Sequence, residues 1–303
     1  MFTTQQIQIR DPYIVPVQSE DGKDQRYYMF GTTGTTFWNS PKDSGFDPTE
    51  ECFDAFSSTD LQNWDGPFRI FTRPPDFWAD HNFWAPEVHQ YQGRWYMFAS
   101  FKALDKCRGT QILVSDNILG PYVPHSDGPV TPHEWECLDG TLFIDKAGMP
   151  WMVFCHEWVQ VQDGKVCAMQ LSPDLRQSAG EPVMLFRASE APWTVVNSGT
   201  LNRVTDGPFL HRTESGALLM LWSSVGARGY AIGYARSVSG DILGPWMQEH
   251  EPVMGEDGGH GMLFRTFGGQ LMCCLHCPNV LLKERPMFLA VVEDGASLRL
   301  MKV

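Results

Sequence analysis

A pattern of two short β-type segments recurs five times along this chain of 303 residues. Each copy opens on a polar residue, continues as an apolar segment, and reaches a second apolar or aromatic segment after a turn. The five openers are Asp11, Glu87, Asp139, Asp206 and His260. The second segments cover residues 26–33, 93–100, 149–156, 217–224 and 269–276. Recurrence of this kind is typical of stacked four-stranded units, the blades of a β-propeller.

A second repeat supplies the outer strands of these units. Segments 57–71, 114–130, 171–186 and 236–254 each carry a serine, an acidic turn and a Gly-Pro or Glu-Pro step. No linker or low-complexity segment divides the chain, so we predict an all-β fold, a single five-bladed propeller over residues 1–303. We expect residues 2–10 to add a strand to the last blade, because an open ring would leave strand edges exposed.

The charge balance restricts the partners of the chain. A formal net charge of −13 argues against nucleic acid and against anionic membranes. It fits a neutral ligand such as an oligosaccharide. The 11 Trp and 19 Phe exceed what a core requires, so some are expected to stack on sugar rings, although packing between blades accounts for most of them.

The N-terminal segment and the cysteines bear on the compartment. The segment MFTTQQIQIR lacks the basic and apolar regions of a signal peptide, so we expect a cytoplasmic protein with reduced thiols, or a secreted or periplasmic one if a signal was removed. The pair Cys274 and Cys277, with His276 between them, has a zinc-like spacing. No second pair completes such a site, so zinc is disfavoured.

The openers carry the chemistry. Inner strands of a propeller point at a common axis, so Asp11, Asp139 and Asp206 should meet there, with Glu87 and His260 beside them. For any one aspartate, a turn into a strand is the simpler explanation. Three carboxylates at one blade position instead favour a site in which one acid stays protonated and another accepts a proton, as glycoside hydrolysis requires.

Five motifs in this order resemble glycoside hydrolase family 43. They are IRDPYI at 9–14, FWAPEV at 83–88, LDGTLFID at 138–145, DGPFL at 206–210 and GGHGMLF at 258–264. The resemblance implies a five-bladed propeller that cleaves α-L-arabinofuranosides or β-xylosides with inversion. It implies that Asp11 is the general base, that Asp139 tunes and orients the acid, and that Asp206 is the general acid. It places His260 at the pocket floor, near a metal ion or an ordered water.

The fourth motif departs from the family pattern. The family acid is usually Glu, whereas this chain has Asp206, whose carboxyl lies about 1.5 Å further back, one C–C bond. Three alternatives follow: the backbone moves inward, Glu190 in the preceding loop donates the proton, or the protein is a weak hydrolase. We favour Asp206.

The remaining expectations concern substrate and metal. Long insertions at 34–56 and 187–205 should form pocket rims. We expect sugar contacts from Trp84, Glu87, Phe37, Trp38, Trp193 and His260. Several acids around one axis favour calcium near His260. Arg10 should point away from Asp11, because neighbouring residues on a strand face opposite sides.

The most favoured function is an exo-acting, inverting α-L-arabinofuranosidase on plant cell-wall oligosaccharides. The alternatives are a β-xylosidase of the same family, a catalytically weak sugar-binding propeller, and two propellers of other kinds. A protein-interaction propeller is disfavoured because the chain lacks that class's Gly-His…Trp-Asp repeat. A propeller glycosidase or phosphorylase of another family is disfavoured because such proteins are expected to carry different acid spacings. Phosphorolysis would also need a basic phosphate clamp, and none is evident.

Overall fold

The chain folds into five antiparallel sheets arranged as a five-bladed β-propeller, in a computed structural model that describes residues 1–19, 22–33 and 52–302. The first blade contains β1 (Phe2–Thr3), β2 (Arg10–Gln18), β3 (Gln25–Thr32), β4 (Cys52–Ser58) and β5 (Asn63–Thr72). The second contains β6 (His81–Tyr91), β7 (Arg94–Ala103), β8 (Lys106–Ser115) and β9 (Val123–Pro129). The third contains β10 (Cys137–Ile144), β11 (Pro150–His156), β12 (Lys165–Gln170) and β13 (Val183–Arg187).

The last two blades follow the same order. The fourth contains β14 (Asp206–Arg212), β15 (Leu218–Gly226), β16 (Gly229–Ser237) and β17 (Trp246–Gln248). The fifth contains β18 (Gly259–Arg265), β19 (Leu271–Cys277), β20 (Arg285–Asp294) and β21 (Ser297–Lys302). One short helix, α1 (Trp158–Val161), follows β11. The predicted fold class is confirmed.

No helix among the described residues is both long and apolar enough to cross a membrane.

The prediction for the N-terminal strand is wrong. Strand β1 pairs with β5 at the outer edge of the first blade, with Phe2 opposite Trp64, and does not join the last blade. Phe2 also packs edge-on against Phe56 at 6.1 Å between ring centroids, so burial of its ring favours this edge. The last blade completes its own four strands through β21, which pairs with β20.

The second strand of each blade forms the core between sheets. Strand β15 is buried along nearly its whole length, because both of its faces are covered by neighbouring blades. Its first five residues, 218–222, are therefore all apolar and do not alternate with polar ones. Trp222 at its centre is fully buried, and burying such a side chain contributes about 2–3 kcal/mol.

Each inner strand opens with a β-bulge, and this bulge sets the geometry of the site. The pairing with the second strand slips between Arg10 and Tyr13, and at the matching place in all five blades. The first bulge residue has a positive φ of about 50° each time, at Asp11, Ala85, Asp139, Gly207 and His260. A bulge re-aims side chains, so this residue and the one before it can face the same side.

The bulges correct the alignment of the predicted openers. Asp11, Asp139 and His260 are equivalent bulge residues, as predicted. Asp206 instead precedes its bulge residue Gly207, and Glu87 lies two positions after Ala85. The two-residue period of a regular strand could not reveal these shifts, because each bulge adds one residue to the count.

Candidate active site

A pocket opens on the propeller axis at the end where the inner strands begin. Asp11, Asp139 and Asp206 line it together with His260. The other lining residues are Arg10, Trp84, Leu138, Glu157, Trp158 and Tyr230. Its cavity has a volume of about 60 Å³. The prediction that acids from three blades would meet at one place therefore agrees with the structure.

Asp11 is held as an anion on the pocket wall. Its Oδ2 accepts a hydrogen bond from Thr32 Oγ1 at 2.9 Å, and its Oδ1 lies 3.2 Å from His260 Nδ1. Burial alone would raise the pKa of this carboxyl, but the attraction and hydrogen bond of His260, aided by Arg10, outweigh it and hold the pKa well below its usual range. Asp11 is therefore ionised at neutral pH.

Asp139 and Asp206 have the opposite character. Burial raises the pKa of Asp139 to about 7, with Asp206 and Asp11 adding repulsion while His260 and the Gly207 amide counteract it. Burial likewise raises the pKa of Asp206 to about 6, against a 2.8 Å hydrogen bond that Tyr230 Oη donates to its Oδ2. Near neutral pH this pair therefore holds a proton that Asp11 does not.

His260 supplies the positive charge beneath these acids. Its side chain is buried, and its Nδ1 lies 3.8 Å from Asp139 Oδ2 as well as close to Asp11. Burial lowers the pKa of the imidazole, but attraction to Asp11 and Asp139 raises it to about 10. The imidazolium thus offsets part of the negative charge gathered at the axis.

The remaining predicted site residues are placed as follows. Trp84 lines the pocket, in the position before its bulge. Glu87 is buried further along the axis, where its Oε2 lies 3.2 Å from His89 Nε2, and it does not line the pocket. Phe37 and Trp38 lie outside the described residues.

Two predictions from the 187–205 segment are not supported. Trp193 is buried in the core, 4.8 Å from Trp222 between ring centroids, because its ring packs over Gly233, where no side chain stands in the way. Glu190 is exposed and caps a short helical turn, its Oε1 accepting the N–H of Arg187 at 2.9 Å. It therefore does not line the pocket as a second candidate acid.

Sequence reasoning missed several groups at the pocket. Arg10 faces the pocket beside Asp11, contrary to expectation, because the bulge turns both residues to one side. Glu157 and Trp158 follow β11, at the position where the strand leaves the core. Glu157 Oε2 accepts from Arg108 Nε at 3.2 Å, and the Arg108 guanidinium lies 3.8 Å from the centre of the Trp84 ring.

The expected metal remains a prediction. Across residues 1–19, 22–33 and 52–302, no three His, Cys, Asp or Glu side chains are grouped so as to hold a metal ion. This holds for the axis near His260, where calcium was expected, and for Cys274 and Cys277. All eight cysteines are free thiols.

Comparison with known proteins agrees with the geometry. The family model described as glycosyl hydrolases family 43 matches residues 8–290. The crystal structure of endo-arabinase from Bacteroides thetaiotaomicron VPI-5482 is similar with a TM-score of 0.85 and 39% sequence identity, covering 98% of this chain and 99% of that one.

Two curated relatives match more distantly. They are the extracellular endo-α-(1→5)-L-arabinanase 1 of Bacillus subtilis (strain 168) and the extracellular exo-α-(1→5)-L-arabinofuranosidase ArbA of Cellvibrio japonicus (strain Ueda107), each 25% identical. The matches cover 68% and 67% of this chain but only 62% of either relative. Because both relatives are named as extracellular, the cytoplasmic expectation is not supported, whereas the secreted alternative is compatible with them.

The family model spans nearly the whole propeller, and three carboxylates lie at the propeller axis. The chain therefore belongs to glycosyl hydrolases family 43.

Proposed function

We propose that this chain is an inverting glycoside hydrolase that removes terminal α-L-arabinofuranosyl residues from arabinan-derived oligosaccharides. The observation that carries the proposal is the division of charge at the pocket. Asp11 is held ionised, while Asp139 and Asp206 retain a proton near neutral pH. An inverting hydrolase needs such a pair, one carboxylate to accept a proton and one acid to donate.

Asp11 is the general base in this mechanism. Thr32 and His260 fix its two oxygens, so one face of the carboxylate stays aimed at the pocket. It takes a proton from a water, and that water attacks the anomeric carbon. General base catalysis contributes about 10²–10⁴-fold to the rate.

Asp206 is the general acid. It protonates the leaving oxygen as the glycosidic bond breaks, and its burial favours the protonated form of its carboxyl. Its position before the bulge, shared with Arg10 and Trp84, brings the short side chain to the pocket wall. This geometry supports Asp206 over Glu190, which caps a turn elsewhere.

The shape of the pocket supports an exo mode. Its cavity is small and is lined by His260, Trp84 and Trp158. One terminal sugar ring suits such a space better than an internal stretch of polymer. An uncharged sugar also suits the acidic chain. Both curated relatives are named extracellular, which supports a secreted or periplasmic location.

An endo-acting arabinanase is the second candidate. The 39% identity to a structure named as an endo-arabinase favours it. A second, larger cavity of about 430 Å³ is lined by Arg108 and Trp78. The Arg108 guanidinium stacks on Trp84, which lines the active-site pocket, so the two cavities are close together. A polymer crossing the active site could occupy both. The xylosidase alternative is weaker, because the structure named as an endo-1,4-β-xylanase is only 23% identical and shows the fold alone.

A product analysis separates these functions. Purified protein is incubated with linear α-1,5-arabino-oligosaccharides labelled at the reducing end, and with aryl α-L-arabinofuranoside and aryl β-D-xyloside. We expect arabinose as the first product, released with inverted configuration by proton NMR. Mixed oligosaccharides at early times would establish the endo mode instead. Turnover of the xyloside alone would indicate that xylan-derived oligosaccharides are the substrate. If no substrate is turned over, a sugar-binding protein is favoured. Asp11→Asn is the inactive control.

A further inference from the structure

A repeated contact joins each blade to the next at the bulges. A side chain near the end of a second strand accepts the N–H of the following blade's bulge residue. Thr32 Oγ1 accepts from Ala85 at 2.8 Å, and Ser100 Oγ accepts from Asp139 at 2.9 Å. The remaining two contacts of this kind join Ser223 Oγ to His260 at 2.8 Å and His276 Nδ1 to Asp11 at 3.2 Å.

These acceptors are structurally equivalent. Each pairs across its own blade with the residue that precedes the bulge: Thr32 with Arg10, Ser100 with Trp84, Ser223 with Asp206, and His276 with Gly259. His276 serves as an acceptor because burial lowers its pKa to about 3 and leaves its ring neutral, while its Nε2 bonds Asn279 Oδ1 at 3.1 Å. Four blades thus follow one rule.

The third blade breaks this rule. The equivalent residue is Cys155, which pairs with Leu138, and a thiol is a weak acceptor. The Gly207 N–H donates instead to Asp139 Oδ2, at 2.9 Å. Among the residues that the structure describes, this is the one junction at which a carboxylate at the pocket accepts the bulge amide of the neighbouring blade.

We propose that the Gly207 amide is a positioning group for Asp139, and that Cys155 keeps it available by offering no competing acceptor. The inference rests on the proposed function for its catalytic meaning. Gly207 follows Asp206 directly, so the bond ties the Asp139 carboxylate to the backbone of the residue proposed as acid. Its positive φ, and the His260 ring 2.8 Å from where a Cβ would stand, restrict this position to glycine.

The first blade shows what a hydroxyl would do at position 155. Thr32 Oγ1 accepts the amide of Ala85 and donates to Asp11, so it stands between amide and carboxylate. A serine at 155 would likewise insert between Gly207 and Asp139. The two carboxylates would then be coupled more weakly, and the pKa of Asp139, which the charge of Asp206 raises, would fall.

Other titratable groups surround this pair of carboxyls and also influence their pKa values. They are Asp11, His260, Arg10, Glu157 and Tyr230. None lies on β11, the strand that carries Cys155, but Glu157 follows that strand directly. Cys155 itself lies near both carboxylates and Thr205.

The first test uses the unmodified protein and needs no substrate. The Gly207 amide proton is followed by NMR as a function of pH, together with the carboxyl carbons of labelled aspartates. We expect the amide to titrate in step with the Asp139–Asp206 pair. An amide shift that stays flat while these carboxyls titrate would overturn the proposal, whether or not the protein hydrolyses arabinosides.

Three variants complete the test. Cys155→Ser should lower the pKa of Asp139 by about 0.5 unit, and the alkaline limb of kcat/KM, which reports the proton held by the Asp139–Asp206 pair, should move in the same direction. Cys155→Ala offers no acceptor and should leave both unchanged. Cys167→Ser, in a buried site opposite Phe154, is the matched control for placing a hydroxyl in the core. Equal shifts in the serine and alanine variants at 155, or none in the serine variant, would refute the role of the amide. If the parent protein is inactive but shows the expected NMR shifts, the proposed hydrolase function is refuted and the role of the Gly207 amide is not.

Discussion

Replacing Asp139 by asparagine should stabilise the fold, and more so at alkaline pH. Burial raises the pKa of Asp139 from 3.8 to about 7 in the folded chain. A carboxyl with a raised folded pKa contributes its full stability below the unfolded value and loses it as pH rises through the folded one. At 1.4 kcal/mol per unit, the ionisable side chain destabilises the fold by about 2–3 kcal/mol more at pH 8 than at pH 5.

Asparagine removes this pH-dependent loss and still accepts the Gly207 amide through its own oxygen. For a chain of this length, 2–3 kcal/mol corresponds to about 3–5 °C in Tm. Thermal unfolding at a fixed scan rate should therefore show a larger gain over the parent at pH 8 than at pH 5. Asp76→Asn, an equal change of charge at an exposed site, is the control. Equal gains at both pH values, or a loss at both, would refute the assignment of a raised pKa to Asp139.

Asp11→Asn should lower kcat by about 10²–10⁴-fold with unchanged circular dichroism, since asparagine keeps the shape but cannot accept a proton; near-normal turnover would remove Asp11 as base. Asp206→Ala should impair alkyl arabinosides far more than activated aryl ones, while Glu190→Ala stays mild, and the reverse pattern would move the acid to the loop. Tyr230→Phe removes a hydrogen bond that lowers the pKa of Asp206, so the pKa of the alkaline limb of kcat/KM should rise. An unchanged pKa of this limb would show that Tyr230 does not influence the general acid. Treatment with a chelator and elemental analysis test the calcium expected near His260. Bound metal in the purified protein, or loss of activity on chelation, would support the ion. If no metal is found and activity survives chelation, the ion is excluded.

The repeat was readable from sequence because each blade is one contiguous segment. Asp11, Asp139 and His260 could be aligned from their motifs, since each is a bulge residue with the same positive φ. The family and the fold class followed from that order, and both are confirmed.

The finer placements failed for local reasons. Asp206 and Glu87 are shifted from the equivalent position because a bulge interrupts the alternation that sequence patterns rely on. Arg10 was assigned to the wrong face for the same reason. Trp193 lies in a long segment that reads as a rim, yet Gly233 on another strand leaves room for its ring in the core. Such a fit depends on residues distant in sequence, and no local pattern encodes it.

In the part of the chain that the structure describes, no strand is shared between the first and last blades, and the residue proposed as base lies at the junction between these two blades. The Asp11 amide is bonded to His276 of the last blade, and Arg10 Nη1 lies 3.5 Å from Glu284 Oε1 across the same junction. A brief parting of the first and last blades would therefore carry Asp11 away from Asp206 while every sheet remained whole. Activity should then be lost on warming at a lower temperature than the β-sheets unfold. The temperature of inactivation would therefore report the stability of the contacts between the first and last blades, and not the stability of the individual blades.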